Sequence, residues 1–220
     1  MNCSISVSLM CADLLNLERE IERVTKDGAD MLHIDIMDPC FVPNITFGID
    51  TVKAIRGITR LPLDVHIMSL NNELLIDEFI KIGCERISFH VSDGSFALRL
   101  LRKIHIGNAR AGVALSPTAD EGILRYVKDY IDFVLVMGVE PGFAGQDINP
   151  SVYSKIASAR LILGEGTDIT VDGNIGVDNG VKCLRNGANT LVAGSSFAFD
   201  EDGYIDKSIC AARANIVNFL

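Results

Sequence analysis

Eight short apolar runs punctuate this chain, each followed by a helix-like amphipathic segment. They are ISVSLM (5–10), MLHIDIM (31–37), LPLDVHIM (61–68), RISFHV (86–91), RAGVAL (110–115), DFVLVMGV (132–139), DITVDG (168–173) and NTLVAG (189–194). Spread over 220 residues, they repeat about every 28, which accommodates a strand, a helix and two short loops. Strands alternating with helices pair in parallel through right-handed crossovers. Eight such units predict a closed (β/α)₈ TIM barrel over an open doubly wound sheet, although the chain is shorter than the ~250 residues typical of such barrels. Between the runs, LLNLEREIERVTKDG (14–28) places Leu14, Leu17, Ile21 and Val24 at helical spacing, with a stop near Gly28. Gly83, Gly107 and Gly187 supply similar stops. With no linker or low-complexity tract, residues 1–220 read as one barrel domain.

Composition removes several function classes. A net charge of −9 leaves no basic face for a nucleic-acid backbone, so no nucleic-acid partner is expected. A small anion remains compatible, because backbone amides bind phosphate whatever the net charge. The six cysteines are scattered without a C-x-x-C pair, which excludes a zinc knuckle or dithiol motif and suggests reduced thiols in a cytoplasmic protein. The opening MNCSISVSLMC lacks a basic region and a long apolar run, and no 18-residue apolar stretch exists. Neither a signal peptide nor a membrane partner is expected.

In such barrels chemistry gathers where strands end, so polar residues late in an apolar run carry the information. In HIDIM, His33, Asp35 and Met37 share one face, and Ile34 and Ile36 the other. A buried strand excludes such groups unless something pairs with them. His66 lies late in the third run, Asp172 late in the seventh, and Ser8 late in the first. Two imidazoles and two carboxylates converging from three strands suit a divalent ion with an N₂O₂ donor set. A lone strand histidine is more simply a hydrogen-bonded core residue, and His90, without an acidic neighbour at period two, is read that way. In EPGFAGQ (140–146), Gly142 and Gly145 free the backbone to present N–H groups to an anion. Gly173 and Asn174 of VDGN, and GSS (194–196), add small residues in adjacent loops, and together these suggest a phosphate cup. Met37, Met68 and Met137 sit at or near the ends of their runs and are expected at one level, as an apolar wall.

Taken together, HIDIMD…FVPNITFG, LDVHIM, VLVMGVEPGFAGQ, ITVDG and LVAGSS resemble the ribulose-phosphate 3-epimerase family, in order and over almost the whole chain. The resemblance implies a ribulose-phosphate-binding (β/α)₈ barrel holding one divalent ion, Zn²⁺ or Fe²⁺ foremost and Mn²⁺ or Co²⁺ as alternatives. It implies His33, Asp35, His66 and Asp172 as ligands, with Asp35 and Asp172 also the acid/base pair. Ser8, His33, His66, Met37, Met68 and Met137 would meet the sugar. Gly142, Phe143, Ala144, Gly145, Gly173, Asn174, Gly194 and Ser195 would hold its phosphate. The family's usual M-D-G-H-F is here Met37-Asp38-Pro39-Cys40-Phe41, which stiffens the loop and removes one N–H. Ala144 and Asn174 stand where the family has glycine, without loss of a backbone donor. SLMCADLL and PGFAGQ look more like the allulose-6-phosphate 3-epimerase branch.

The expected activity is therefore metal-dependent 3-epimerisation of a ketose phosphate, D-ribulose 5-phosphate to D-xylulose 5-phosphate, by two-carboxylate proton transfer through an enediolate. The alternative is D-allulose 6-phosphate to D-fructose 6-phosphate. The expected partner is a small phosphorylated ketose, and the expected assembly a homo-oligomer. A barrel decarboxylase would carry an inner-strand lysine, and no run has an internal one. A catalytically silent sugar-phosphate-binding protein would have no need of the intact His/Asp quartet. No nucleotide fingerprint is present.

Overall fold

The structure, a computed structural model, describes residues 3–91, 96–198 and 208–219. The remainder of the expected 1–220 domain lies outside them. Eight parallel strands close into a barrel in sequence order, with β1 paired to β8. They are β1 (Ser4–Ser8), β2 (Met31–Met37), β3 (Leu63–Met68), β4 (Arg86–His90), β5 (Arg110–Leu115), β6 (Phe133–Met137), β7 (Asp168–Asp172) and β8 (Thr190–Ala193). The α-helices are α1 (Leu17–Lys26), α2 (Ile49–Ile58), α3 (Asn72–Ile82), α4 (Ala97–Ile106), α5 (Leu124–Val127), α6 (Ser151–Leu163), α7 (Val177–Arg185) and α8 (Ile209–Phe219). Among the described residues no helix is long and apolar enough to cross a membrane.

The period of two along each strand divides the interior. Ile34, Val65, Phe89, Val113 and Val136 join one apolar shell with helix residues such as Ile21, Ile55, Phe79 and Ile104. Fully burying one such side chain stabilises the fold by about 1.5–3 kcal/mol. The lumen is different. Its upper wall holds a separate small cluster of Ala114, Leu135, Met137 and Val192. Below lie Ser6, Asp64, Arg86 and Thr170, all buried. Arg86 is the hub: Nε donates to Asp64 (3.1 Å), Nη1 to Asp168 (2.7 Å) and Nη2 to Thr170 (2.7 Å). Its guanidinium lies over the Phe133 ring, 4.0 Å from the centroid.

Several boundaries differ from the runs, for local reasons. The first run stops being a strand at Ser8, and Leu9–Cys11 form a 3-10 turn. The third starts at Leu63, because Pro62 has no N–H for the ladder and contributes only its carbonyl, to Leu32 N–H. The sixth ends at Met137, where the Gly138 N–H turns to the Asp172 carbonyl at 2.6 Å. The expected helix from residue 14 starts later. Asp13 accepts from Leu15 N–H and opens a 3-10 turn, so α1 begins at Leu17 and Leu14 is exposed. Gly28, Gly83 and Gly187 all take positive φ at helix ends, whereas after α4 the left-handed residue is Asn108, not Gly107.

Candidate active site

Register brings the polar strand residues together. β2 and β3 pair so that His33 lies beside Asp64 and Asp35 beside His66. His33 Nδ1 is 3.0 Å from Asp64 Oδ2, which also accepts from Ser6 Oγ at 3.0 Å. Burial opposes the charge on Asp64, but Arg86 and His33 outweigh it and hold its carboxyl well below the usual range. An ionised Asp64 can only accept, so His33 Nδ1 carries a hydrogen. The opposite nitrogen, Nε2, is buried without a hydrogen-bond partner, 3.4 Å from Asp35 and 3.8 Å from Asp172. This orphaned nitrogen, aimed between two carboxylates, is what a metal ion would satisfy.

Asp35 faces the same point. Its Oδ2 accepts from Ser8 Oγ at 2.8 Å, and its Oδ1 lies 3.3 Å from His66 Nδ1. Thr46, from the NITFG loop, bonds both the Asp35 carbonyl and the Met37 N–H, pinning the end of β2. Burial disfavours charge on Asp35, yet the His33 and His66 rings prevail and hold its carboxyl well below the usual range. Asp172, on β7, is pushed the other way by burial and by the charge of Asp35. Burial also works against charge on His33, and the Asp35 and Asp64 carboxylates overcome it, holding its pKa well above the usual value. The point where these groups meet therefore attracts positive charge. One donor atom from each of His33, Asp35, His66 and Asp172 lies within 4.8 Å of all the others, so the four could hold a metal ion. Two imidazole nitrogens and two carboxylate oxygens suit a borderline divalent cation, and the residues fit the group.

Above this cluster opens a cleft of about 570 Å³ including its mouth. It is lined by Ser8, Asp35, Met37, Met68, Met137 and Asp172, and by the small-residue loops 142–145, 173–174 and 194–195. Those loops come from three neighbouring βα connections. Gly173 takes φ +110°, and a Cβ there would meet Val139 at 2.8 Å. Asn174 takes φ +52°, a conformation asparagine tolerates, and its side chain bonds Ser196 and so links the β7 and β8 loops. Asn44 Nδ2 donates to the Gly142 carbonyl at 2.7 Å, joining the β2 and β6 loops. The methionines share the cleft but not one cluster: Met37 and Met68 pack with Val42, and Met137 with Leu135. Pro39 sits in a turn closed by Phe41 N–H to the Asp38 carbonyl at 3.1 Å, with the Asp38 side chain accepting from Cys40 N–H at 2.8 Å.

Three residues that shape the site, Ser6, Asp64 and Arg86, were not singled out by the sequence, and His90 was read only as core. His90 is the hydrogen-bonded core histidine expected, but its partner is His66, with 2.9 Å between the two Nε2 atoms. Burial and the His66 ring keep the His90 pKa well below the usual value, so its ring is neutral. A signal was present: Arg86, Ser88 and His90 put three polar groups on one face of one short strand. Cys11 also lines the cleft, its thiol pushed up to about 11 by burial.

A sequence model of the Ribulose-phosphate 3 epimerase family matches residues 4–198. Among curated proteins, the chain is 40% identical over 197 residues to the chloroplastic ribulose-5-phosphate-3-epimerase of Arabidopsis thaliana, covering 87% of this chain and 70% of that protein. It is 39% identical over 210 residues to the ribulose-phosphate 3-epimerase of Synechocystis sp., covering 93% and 91%. Against that of Bacillus subtilis it is 39% identical over 196 residues, covering 87% and 90%. Among solved structures, a mutant tryptophan synthase alpha-subunit from Pyrococcus furiosus aligns with a TM-score of 0.68 at 14% identity, over 99% of this chain and 97% of that one. Phosphoribosyl anthranilate isomerase from Thermus thermophilus aligns at 0.68 and 12%, over 99% and 100%. These structural likenesses speak to the barrel alone.

Proposed function

Because the chain belongs to the ribulose-phosphate 3-epimerase family, and is an isomerase of the epimerase type, we propose that it interconverts D-ribulose 5-phosphate and D-xylulose 5-phosphate with Asp35 and Asp172 as its two proton-transfer groups. The observation that carries this reading is their placement. The two carboxylates come from β2 and β7, on different walls of the lumen, and converge on one point in the cleft. Inversion needs one group to take the C3 proton and another to return a proton to the opposite face. After the first transfer the substrate is an enediolate, and the pair of electrons left by the C–H bond resides on the C2 oxygen. His33, Asp35, His66 and Asp172 would hold a divalent ion, which when bound supplies Lewis-acid stabilisation of charge on the substrate oxygens. Ser8 orients Asp35 through its hydrogen bond, and Asp64 orients His33. Met37, Met68 and Met137 line the cleft and keep water from the reacting carbon. The glycine-rich loops present backbone N–H groups to the phosphate.

Steady-state assays on D-ribulose 5-phosphate and D-allulose 6-phosphate test this reading. The pentulose phosphate is expected to be turned over at least tenfold more efficiently. Preference for the hexulose phosphate would move the protein to the other branch, and no turnover of either would sink the proposal. In D₂O the product is expected to carry deuterium at C3.

A further inference from the structure

We propose that His90 is a positioning residue that accepts the Nε2 proton of His66 and so leaves His66 Nδ1 free to ligate the metal. The inference rests on the reading of His66 as a ligand. His66 is completely buried and turns its two ring nitrogens in different directions. Nδ1 faces Asp35 at 3.3 Å, inside the donor cluster; Nε2 faces His90 Nε2 at 2.9 Å. A metal on Nδ1 requires the ring hydrogen to sit on Nε2. Left without an acceptor, that buried N–H would be unsatisfied. The hydrogen bond between two Nε2 atoms forms only if one is protonated and the other is not. His90 must then carry its own hydrogen on Nδ1, where Ser116 Oγ lies 3.2 Å away to receive it.

The rest of the arrangement fixes His90 in place. Its ring lies 5.0 Å from that of His66 and, on another side, 5.0 Å from Phe41. Ser116 is held through its carbonyl by the buried Lys155, whose Nζ also donates to Pro117 and Ala119. Ligand, acceptor and acceptor's partner thus come from three successive βα units and end on a lysine of α6. Packing alone would not require opposed tautomers, and that is where the test lies.

The full chain, stripped of metal, is titrated with Zn²⁺ against a chromophoric chelator, and its histidines are followed by ¹⁵N NMR in the Zn²⁺-loaded state. His66 is expected to be protonated on Nε2 and His90 on Nδ1. His90→Leu, which keeps the volume and loses the acceptor, is expected to weaken Zn²⁺ binding about 10- to 100-fold. His90→Gln, whose amide oxygen can accept, is expected to recover most of it. If His90→Leu does not fold, Ser116→Ala decides by the same titration, with a several-fold loss expected. His90 protonated on Nε2 in the loaded parent, or parental Zn²⁺ affinity in the variant that decides, overturns the proposal. A parent that takes up no Zn²⁺ would overturn the ligand reading itself, and this one with it.

Discussion

Replacing Arg86 by leucine should be among the most damaging substitutions in the barrel, although the residue lies below the reacting cluster. Its guanidinium satisfies Asp64 at 3.1 Å, Asp168 at 2.7 Å and Thr170 at 2.7 Å, and it is itself buried. Leucine occupies part of the space but leaves Asp64 as a buried carboxylate facing only His33 and Ser6. Removing one partner of a buried ion pair costs about 3–5 kcal/mol. The loss should depend on pH. Asp64 has a depressed pKa in the folded parent, so its contribution is present above the ordinary carboxylate value near 4 and fades as pH falls below it. In the variant, burial without Arg86 raises the same carboxyl, and protonation then relieves it. The gap between parent and variant is therefore full at neutral pH and narrows on acidification. Urea unfolding followed by far-UV circular dichroism, with chelator in both samples, measures it at pH 7.5 and pH 4.5. A loss below about 1 kcal/mol at pH 7.5, the range of an exposed pair, would refute the reasoning. So would a gap that widens at pH 4.5.

Asp35→Asn and Asp172→Asn should each reduce epimerisation by at least about 10³-fold with the fold retained, because inversion needs both an acid and a base. Near-parental rates of xylulose 5-phosphate formation in either would exclude the two-carboxylate scheme. Gly145→Val should raise KM for the phosphorylated substrate several-fold more than it lowers kcat, since φ at +82° strains a β-branched residue even in open space; Ser195→Ala should change KM little. A thiol reagent at pH 7.5 should modify the exposed Cys40 and Cys210 within minutes and leave Cys84 and Cys183 unmodified in the folded chain. Burial pushes those two up to about 12, and mass spectrometry of the labelled peptides reads the outcome.

The barrel was legible because burying a strand's face demands apolar residues at period two, and eight such runs leave little topological choice. Boundaries were less so. Where the sixth strand ends depends on the bond from Gly138 N–H to the Asp172 carbonyl, a distant segment that no local pattern displays. His33, Asp35, His66 and Asp172 stood out as ionisable groups late in apolar runs. Asp64, level with His33 in the register, and Arg86, at the start of its strand, were less legible because their meaning lies in partners on other strands: Asp64 beside His33, Arg86 reaching β7. His90 was judged by its neighbours along the chain, whereas its partner is opposite, on β3.

Strand β7 is braced twice. Hydrogen-bonded neighbours resist shear along the wall but do little to stop a barrel from flattening. Arg86 spans from β4 to Asp168 and Thr170 like a lower crossbeam, and the donor cluster gathers β2, β3 and β7 one tier above. A cut between β4 and β5 would leave each half-barrel with one end of both beams. A divalent ion held by the upper tier would be a clasp between the halves as well as a reagent. Binding there would add to the stability of a barrel that already closes without it, by mass action.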